Sequence, residues 1–267
     1  MTHSAIDSLL DGLTLIASRA AAAIVAVPRP ALNMRDKADM SPVTAADEAS
    51  EALIRSELAS LMPGVPIVSE ETTGNRTVEG LGDRFLIVDP LDGTREFLAG
   101  LGEFSVNIAL IENATPVIGV VAAPAHGMIW RGRVGHGAER LTLPPGQSPS
   151  RASERIAIHP RPCPAGGARV LVSRSYPDPA TTAYVDRLPQ AEKVVYGSSL
   201  KFCLLAEGIA DLYPRLGPIS EWDIAAGHAV LVAAGGEMTR PDGSALRYGQ
   251  HEFRVHGFIA RGGRTAG

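Results

Sequence analysis

Between Ile6 and Val25 the apolar residues Ile6, Leu9, Leu10, Leu13, Ile16, Ala17, Ala20 and Ile24 recur at steps of three and four. That spacing puts them on one face of a helix. Pro28 and Pro30 follow and stop it. A second helix is predicted over Thr44 to Leu61, where Leu53, Ile54, Leu58 and Leu61 form a stripe and Thr44-x-x-Asp47 has the form of a capping box. Beyond it the chain breaks into short β-like runs. Strands are predicted at Pro66–Ser69, Phe85–Val88, Phe104–Leu110, Val117–Ala122 and Met128–Arg131. In the third of these Phe104, Val106, Ile108 and Leu110 alternate with Ser105, Asn107 and Ala109, so residues 104 to 131 are expected to form a β-meander with one buried face.

Around Leu143–Ser153 the chain turns rich in Pro, Gly and Ser, which predicts a loop between two lobes, residues 1–146 and 147–267. The second lobe alternates in type. Strands at Arg169–Ser173, Lys193–Tyr196, Ala210–Tyr213 and Phe253–Ala260 are interleaved with helices near Pro179–Leu188, Ser199–Glu207 and Asp223–Ala234. This order predicts an α/β protein of layered (α+β) type. No internal repeat is visible.

Composition narrows the choices. Across 267 residues, 25 Lys and Arg face 29 Asp and Glu, a net charge of −4 that argues against coating a nucleic acid or a polybasic membrane role. Two cysteines, Cys163 and Cys203, make neither a disulfide framework nor a zinc pattern and suit a reducing cytoplasm. The longest unbroken apolar run, Ala20–Val27, is short for a membrane span, so no integral membrane contact is expected. Any association with the inner face of the cell membrane would be peripheral.

The sharpest local feature is Phe85-Leu-Ile-Val-Asp-Pro-Leu-Asp-Gly-Thr-Arg-Glu-Phe97, a buried-type strand running into two carboxylates, a Gly and a Thr. Pro90 fixes one torsion and Gly93 permits a conformation other residues resist, so Asp89 and Asp92 can be aimed at one point. Two like charges held together call for a cation between them, and hard carboxylate oxygens, with the Leu91 carbonyl, suit Mg²⁺. Thr94 would open the next helix, whose N-terminal amides attract phosphate oxygens. An ordinary acidic turn with Asp92 as a helix cap accounts for the same stretch. Three more acidic positions bear on this. Glu70 follows a strand, Asp223 begins an apolar helix, and Asp47 already has a complete explanation as a cap.

Together, Ser41-Pro-Val-Thr-Ala-Ala-Asp47, Val68-Ser-Glu-Glu71, Asp89-Pro-Leu-Asp-Gly-Thr94 and Glu221-Trp-Asp-Ile-Ala-Ala-Gly227 resemble the inositol monophosphatase superfamily in order and spacing. Gly93-Thr-Arg-Glu-Phe97, Gly102-Glu-Phe-Ser-Val-Asn-Ile-Ala-Leu110, Gly197-Ser-Ser-Leu-Lys-Phe-Cys203, Ala206-Glu-Gly208 and Leu212-Tyr-Pro-Arg215 are most similar to its CysQ-type 3′(2′),5′-bisphosphate nucleotidases. The resemblance implies an αβαβα sandwich of the inositol monophosphatase and fructose-1,6-bisphosphatase type. It also implies hydrolysis of adenosine 3′,5′-bisphosphate to AMP and phosphate. The sulfated relative of that nucleotide presents the same 3′-phosphate. An inositol monophosphatase or sugar bisphosphatase on the same scaffold is the alternative, and a catalytically silent phospho-ligand sensor is a third reading that the complete carboxylate set disfavours.

The resemblance also carries roles. Glu70, Asp89 and the Leu91 carbonyl would hold one Mg²⁺, and Asp89, Asp92 and Asp223 a second, in a set of two or three ions sensitive to Li⁺. One ion would activate water and the other stabilise the leaving ribose oxygen. Thr94 and Asp47 would orient and deprotonate the water, with Glu70 as the rival base. Substrate contacts are expected from Glu70, Leu91, Asp92, Gly93, Thr94 and Asp223, and on the nucleotide side from Ser198, Lys201 and Arg215. The partner is thus a small phosphorylated nucleotide, and the protein a monomer or homodimer. Lys37 is a further phosphate candidate. The bland readings are a solvated helix surface for Lys201, N-capping for Ser198, core packing for Trp222, and a structural role for His126, His136 and His228.

Overall fold

The computed structural model describes residues 3–28, 35–36, 42–73 and 80–263. Helix α1 (His3–Ala26) ends before Pro28, and a two-residue ladder, β1 (Arg35–Asp36) with β2 (Pro42–Val43), precedes α2 (Ala45–Leu61). The Thr44 cap and the Asp47 capping box are both formed. After β3 (Ile67–Ser69) and the single turn α3 (Glu70–Thr73) come β4 (Arg84–Asp92), α4 (Thr94–Leu98), β5 (Ser105–Glu112), β6 (Thr115–Ala123), β7 (Met128–Arg133), β8 (Gly137–Thr142) and β9 (Glu154–Ala157). These seven strands form one sheet in chain order, antiparallel except for the parallel pair β3–β4.

The second sheet has the order β11-β10-β12-β16-β14. Its strands are β10 (Arg169–Ser173), β11 (Glu192–Tyr196), β12 (Leu212–Arg215), β14 (Glu237–Thr239) and β16 (Phe258–Arg261). A short ladder, β13 (Ile219–Ser220) with β15 (Arg254–Val255), stands apart, and α5 (Pro179–Val185), α6 (Leu200–Ala206) and α7 (Ala225–Ala234) complete the second half.

Three apolar clusters order the layers. Leu13, Ile16, Ile54 and Leu58 of α1 and α2 pack on Leu86, Val88, Val106, Ile108 and Val120, one face of the first sheet. The other face, with Phe85, Ile87, Ala109 and Val121, meets Phe202, Leu205, Ala226 and Val230 of α6 and α7, which in turn cover Leu171, Tyr213 and Phe258 of the second sheet. Val185 of α5 closes the far side over Val170, Leu212 and Ile259. The result is the αβαβα sandwich. Gly119 shows how closely the middle layers approach, since a Cβ there would lie 2.3 Å from the Ala226 carbonyl oxygen.

Several expectations shift against this frame. The meander is present, but both faces of β5 are buried, because helices cover each side of the sheet. Strand β9 lies beyond the expected break at 146 and still pairs with β8, so the change of sheet falls between Ala157 and Arg169. Strands β8, β9 and β14 carry no clean alternation and were not legible. The last predicted strand is two, β15 and β16, broken at Gly257 with φ +100°. Finally, Ser8–Ala26 of α1 is long and apolar enough to cross a membrane by length and composition. Here Leu9, Leu13, Ile16, Ala17, Ala20 and Ile24 are buried in the core, which is what that apolarity serves.

Candidate active site

Strand β4 carries the site to its position. Its ladder with β5 pairs Asp89 with Asn107 and Asp92 with Ser105, so Pro90 and Leu91 bulge out between them and both carboxylates turn inward. The Asp89 carboxylate accepts from Leu91 N–H at 3.0 Å, and Ser50 of α2 donates to the Pro90 carbonyl at 2.8 Å. Gly93 then takes φ +88°, a left-handed conformation. A Cβ there would stand 2.8 Å from the Glu103 carbonyl oxygen and 3.2 Å from Ser198 Cβ. The turn delivers Thr94 to the start of α4.

Thr94 Oγ1 lies 3.2 Å from the Leu91 carbonyl oxygen and 3.4 Å from Asp47 Oδ1. Asp47 Oδ2 meanwhile accepts from the Thr44 amide at 2.8 Å and the Thr44 hydroxyl at 2.7 Å. Cap and site partner are therefore the same carboxylate. Glu70, Asp89 and Asp223 bring one oxygen each to within 4.8 Å of one another. Ser220 N–H steadies Asp223 at 3.3 Å, and the Asp92 carboxylate accepts the backbone N–H of Ser199.

Burial lifts the Asp92 carboxyl to about 6, opposed by the Lys201 charge and the Ser199 N–H. Asp223 is pushed well above the usual carboxylate range, first by burial and then by the charges of Asp92 and Glu70. Carboxylates so raised are short of positive charge. Three carboxylate oxygens converging, from a buried Asp89 and half-buried Glu70 and Asp223, are a hard-oxygen donor set, which fits Mg²⁺.

The nucleotide-side residues come from the far half of the chain. Ser198, one residue before the Ser199 N-cap of α6, sits in the left-handed region at φ +50°, and its hydroxyl accepts from Leu200 N–H at 3.3 Å. Lys201 is not a solvated residue. It is 3% exposed, its Nζ donates to the carbonyls of Ser198 at 2.6 Å and Tyr196 at 3.2 Å, and burial draws it down to about 8 against the pull of Asp92. Arg215 is half-buried and reaches the Tyr176 carbonyl at 3.4 Å. It borders a cavity of 110 Å³ also lined by Val172, Tyr176, Asp178, Thr181 and Tyr213.

The bland readings hold for Trp222, which packs in the core beside Phe253, and for His228, whose Nδ1 pairs with the Tyr248 hydroxyl at 2.8 Å. Burial lowers His228 to about 4, so it is neutral. His126 and His136 are exposed, and Lys37 lies outside the described residues. Sequence reasoning missed the contacts that join the halves. Glu103 accepts from Arg174 at 2.6 and 2.7 Å and from Gly197 N–H at 2.7 Å, Ser175 donates to Glu96 at 2.5 Å, and Arg95 lies 4.6 Å over the Tyr176 ring. Asn107 and Ser199 were missed as well. The one available signal was polar residues, Ser105 and Asn107, inside an otherwise apolar strand.

A five-layer sandwich with a carboxylate cluster between its β4 turn and α7 defines a class. The sequence profile of the Inositol monophosphatase family matches residues 7–262, and the chain belongs to that family. Among curated relatives it is 42% identical over 224 residues to the 3′(2′),5′-bisphosphate nucleotidase CysQ of Salmonella typhimurium, covering 81% of this chain and 83% of that one. The CysQ of Escherichia coli strain K12 is 39% identical over 255 residues, with 91% and 95% covered. Among solved structures, CysQ from Bacteroides thetaiotaomicron superposes with a TM-score of 0.78 at 32% identity, covering 97% of this chain and 98% of that one.

Proposed function

We propose that this chain is a Mg²⁺-dependent 3′(2′),5′-bisphosphate nucleotidase that removes the 3′-phosphate of adenosine 3′,5′-bisphosphate, giving AMP and phosphate. The observation that carries the reading is the pairing of the Glu70, Asp89 and Asp223 cluster with a buried Lys201 whose charge reaches Asp92. One wall suits a metal-held phosphate. The other supplies cations for a second phosphate, which a simple monoester lacks.

Glu70, Asp89 and the Leu91 carbonyl would hold one Mg²⁺, and Asp89, Asp92 and Asp223 another. Bound there, the ions supply charge neutralisation of the phosphate and acidification of water. The chain's residues do the rest. Thr94 orients the attacking water and Asp47 takes its proton, since Asp47 Oδ1 faces the Thr94 hydroxyl while its other oxygen is engaged by Thr44. That geometry favours Asp47 over Glu70 as base, because Glu70 belongs to the metal cluster. The water oxygen bonds to phosphorus as the bond from phosphorus to the ribose 3′ oxygen breaks; that oxygen takes a proton from a solvent water and leaves as a hydroxyl, and Asp47 returns its proton to solvent. Lys201 and Arg215 meet the other phosphate and Ser198 lies on the nucleotide side, with the nucleoside against the cavity by Tyr176 and Tyr213. The two free cysteines agree with work in a reducing cytoplasm.

The test is phosphate release with Mg²⁺ from adenosine 3′,5′-bisphosphate, inositol 1-phosphate and fructose 1,6-bisphosphate side by side, each with and without Li⁺. Strong preference for the nucleotide is expected. Preference for the inositol or sugar phosphate would leave the metal cluster standing and overturn the reading of the pocket walls.

A further inference from the structure

Asn107 lies directly opposite Asp89 in the β4–β5 ladder and is 1% exposed. Opposed residues of an antiparallel pair project from the same face, with Cβ atoms about 5 Å apart. A run of hydroxyls leads to it. Ser105 and Ser199 hydroxyls are 2.9 Å apart, and the Ser199 hydroxyl donates to Asn107 Oδ1 at 2.6 Å. Ser199 and Ser105 are 3% and 0% exposed, so water does not compete for these bonds. The other end of the amide, Nδ2, is buried without a hydrogen-bond partner among the described residues.

A buried amide donor left unused is costly, and the great majority of such groups are satisfied. Its orientation follows from its neighbours. Oδ1 is spent on the Ser199 hydroxyl, which leaves the donor end of the amide to the strand face that Asn107 shares with Asp89. Ser199 is also the residue whose backbone N–H holds Asp92. One residue of the second half thus holds Asp92 directly and also the Asn107 amide, which pairs with Asp89 in the ladder.

We propose that Asn107 is a positioning residue for the cation at Asp89, its Nδ2 donating to the oxygen atoms gathered around that cation, and that Ser199 fixes the amide for this task. The proposal rests on the Mg²⁺-dependent reading above. It also gives the turn that carries Ser198 and Lys201 a direct hold on the metal side. A donor to the ligands of a metal orients them, and loss of such a group typically weakens metal binding by roughly 10- to 100-fold.

The experiment is calorimetric titration of the nucleotide-free protein with Mg²⁺, for wild type, Asn107→Leu, Ser199→Ala, Ser199→Thr and the Asn107→Leu/Ser199→Ala double variant. Asn107→Leu keeps the branched outline of the side chain, in a larger volume, and removes the donor, and should weaken Mg²⁺ binding about tenfold. Ser199→Ala keeps the backbone N–H and should weaken it less, Ser199→Thr should restore it, and the double variant should bind no worse than Asn107→Leu alone. An Asn107→Leu protein with wild-type melting and wild-type Mg²⁺ affinity overturns the proposal, as does full additivity of the two changes. Should Asn107→Leu fail to fold, equal Mg²⁺ affinity of the Ser199→Ala and Ser199→Thr proteins overturns it instead. Because the titration needs no turnover, a wild type that binds Mg²⁺ yet releases no phosphate from the nucleotide sinks the nucleotidase reading alone.

Discussion

Two turns meet at this site, and they are built in opposite ways. The turn at Asp89–Thr94 is local: its bulge, its Asp89–Leu91 bond, its left-handed Gly93 and the start of α4 all lie within six residues. The turn at Gly197–Lys201 takes its hold from elsewhere. Gly197 N–H is fixed by Glu103, Ser199 N–H by Asp92 and the Ser199 hydroxyl by Asn107, all about 90 to 110 positions away in sequence. A local turn can be written in consecutive residue types, whereas a distant one depends on two halves of a fold arriving in register. On the function proposed above, the first carries the metal chemistry, and the second is where a scaffold can change its substrate without disturbing that chemistry.

The strongest way to break this comparison is to remove a charge from the local turn. Asp89→Asn should cost roughly 10³-fold or more in turnover, since Asp89 stands in the cluster with Glu70 and Asp223. The metal-free variant should melt no lower than wild type, because one of several mutually repelling buried carboxylates has been neutralised while the acceptor for Leu91 N–H stays. Phosphate release and a metal-free melt decide it, and near-normal hydrolysis by a folded variant removes Asp89 from the centre. Gly93→Ala comes next. It forces a Cβ into the left-handed region and against the Glu103 carbonyl, where the two turns touch. A loss of about 2–4 kcal/mol in stability and about 10² in kcat is expected. Denaturant midpoints and kcat measured together check it, and a variant as stable as wild type would mean that the contact between the turns is loose.

How much of this was legible in the sequence follows the same division. Asp89, Asp92, Gly93 and Thr94 stood out because strand, Pro and Gly signals adjoin them, and Asp47 because a capping box is a local pattern. Helices α1 and α2 and strand β5 were readable from their periods, and β4, β6 and β7 as short apolar runs. Ser199 and Asn107 were not, because their meaning lies in partners across the sandwich, and the polar positions of β5 read as a solvent face when they are a buried one. The bland alternative for Lys201, a solvated helix position, was open for a related reason: only the packed fold shows Tyr196 and Ser198 carbonyls closing over its ammonium. Strand β9 was lost because it is exposed along its whole length and carries no alternation.

Acidity sharpens the contrast between the turns. Burial holds Lys201 near 8, below its ordinary value of 10.5, so its ammonium form is lost on the alkaline side beginning near pH 8 and is intact at pH 7. If the ammonium form binds the second phosphate, KM for the bisphosphate should rise roughly tenfold between pH 7 and pH 9, while KM for a simple monoester stays level. In Lys201→Met the bisphosphate KM should be high and flat across that range. A rise shared by both substrates would assign the titration to the metal side.

The gentlest test is Glu103→Gln. Burial pushes the Glu103 carboxyl up, but hydrogen bonds from Arg174 and Gly197 N–H outweigh it and hold the group below the usual range. The amide oxygen of Gln can still accept from Gly197, so the turn keeps its backbone bond and loses only the paired charge of Arg174. Arg174 is itself 38% exposed, and an ion pair so open to water is worth about 1 kcal/mol or less. The expected result is a rise of about threefold in KM for the bisphosphate with kcat unchanged, because the Asp89–Thr94 turn does not rely on that pair. A fall in kcat of the same size would show that strain at Gly197 reaches Asp92 through Ser199, and the two turns would then be one unit.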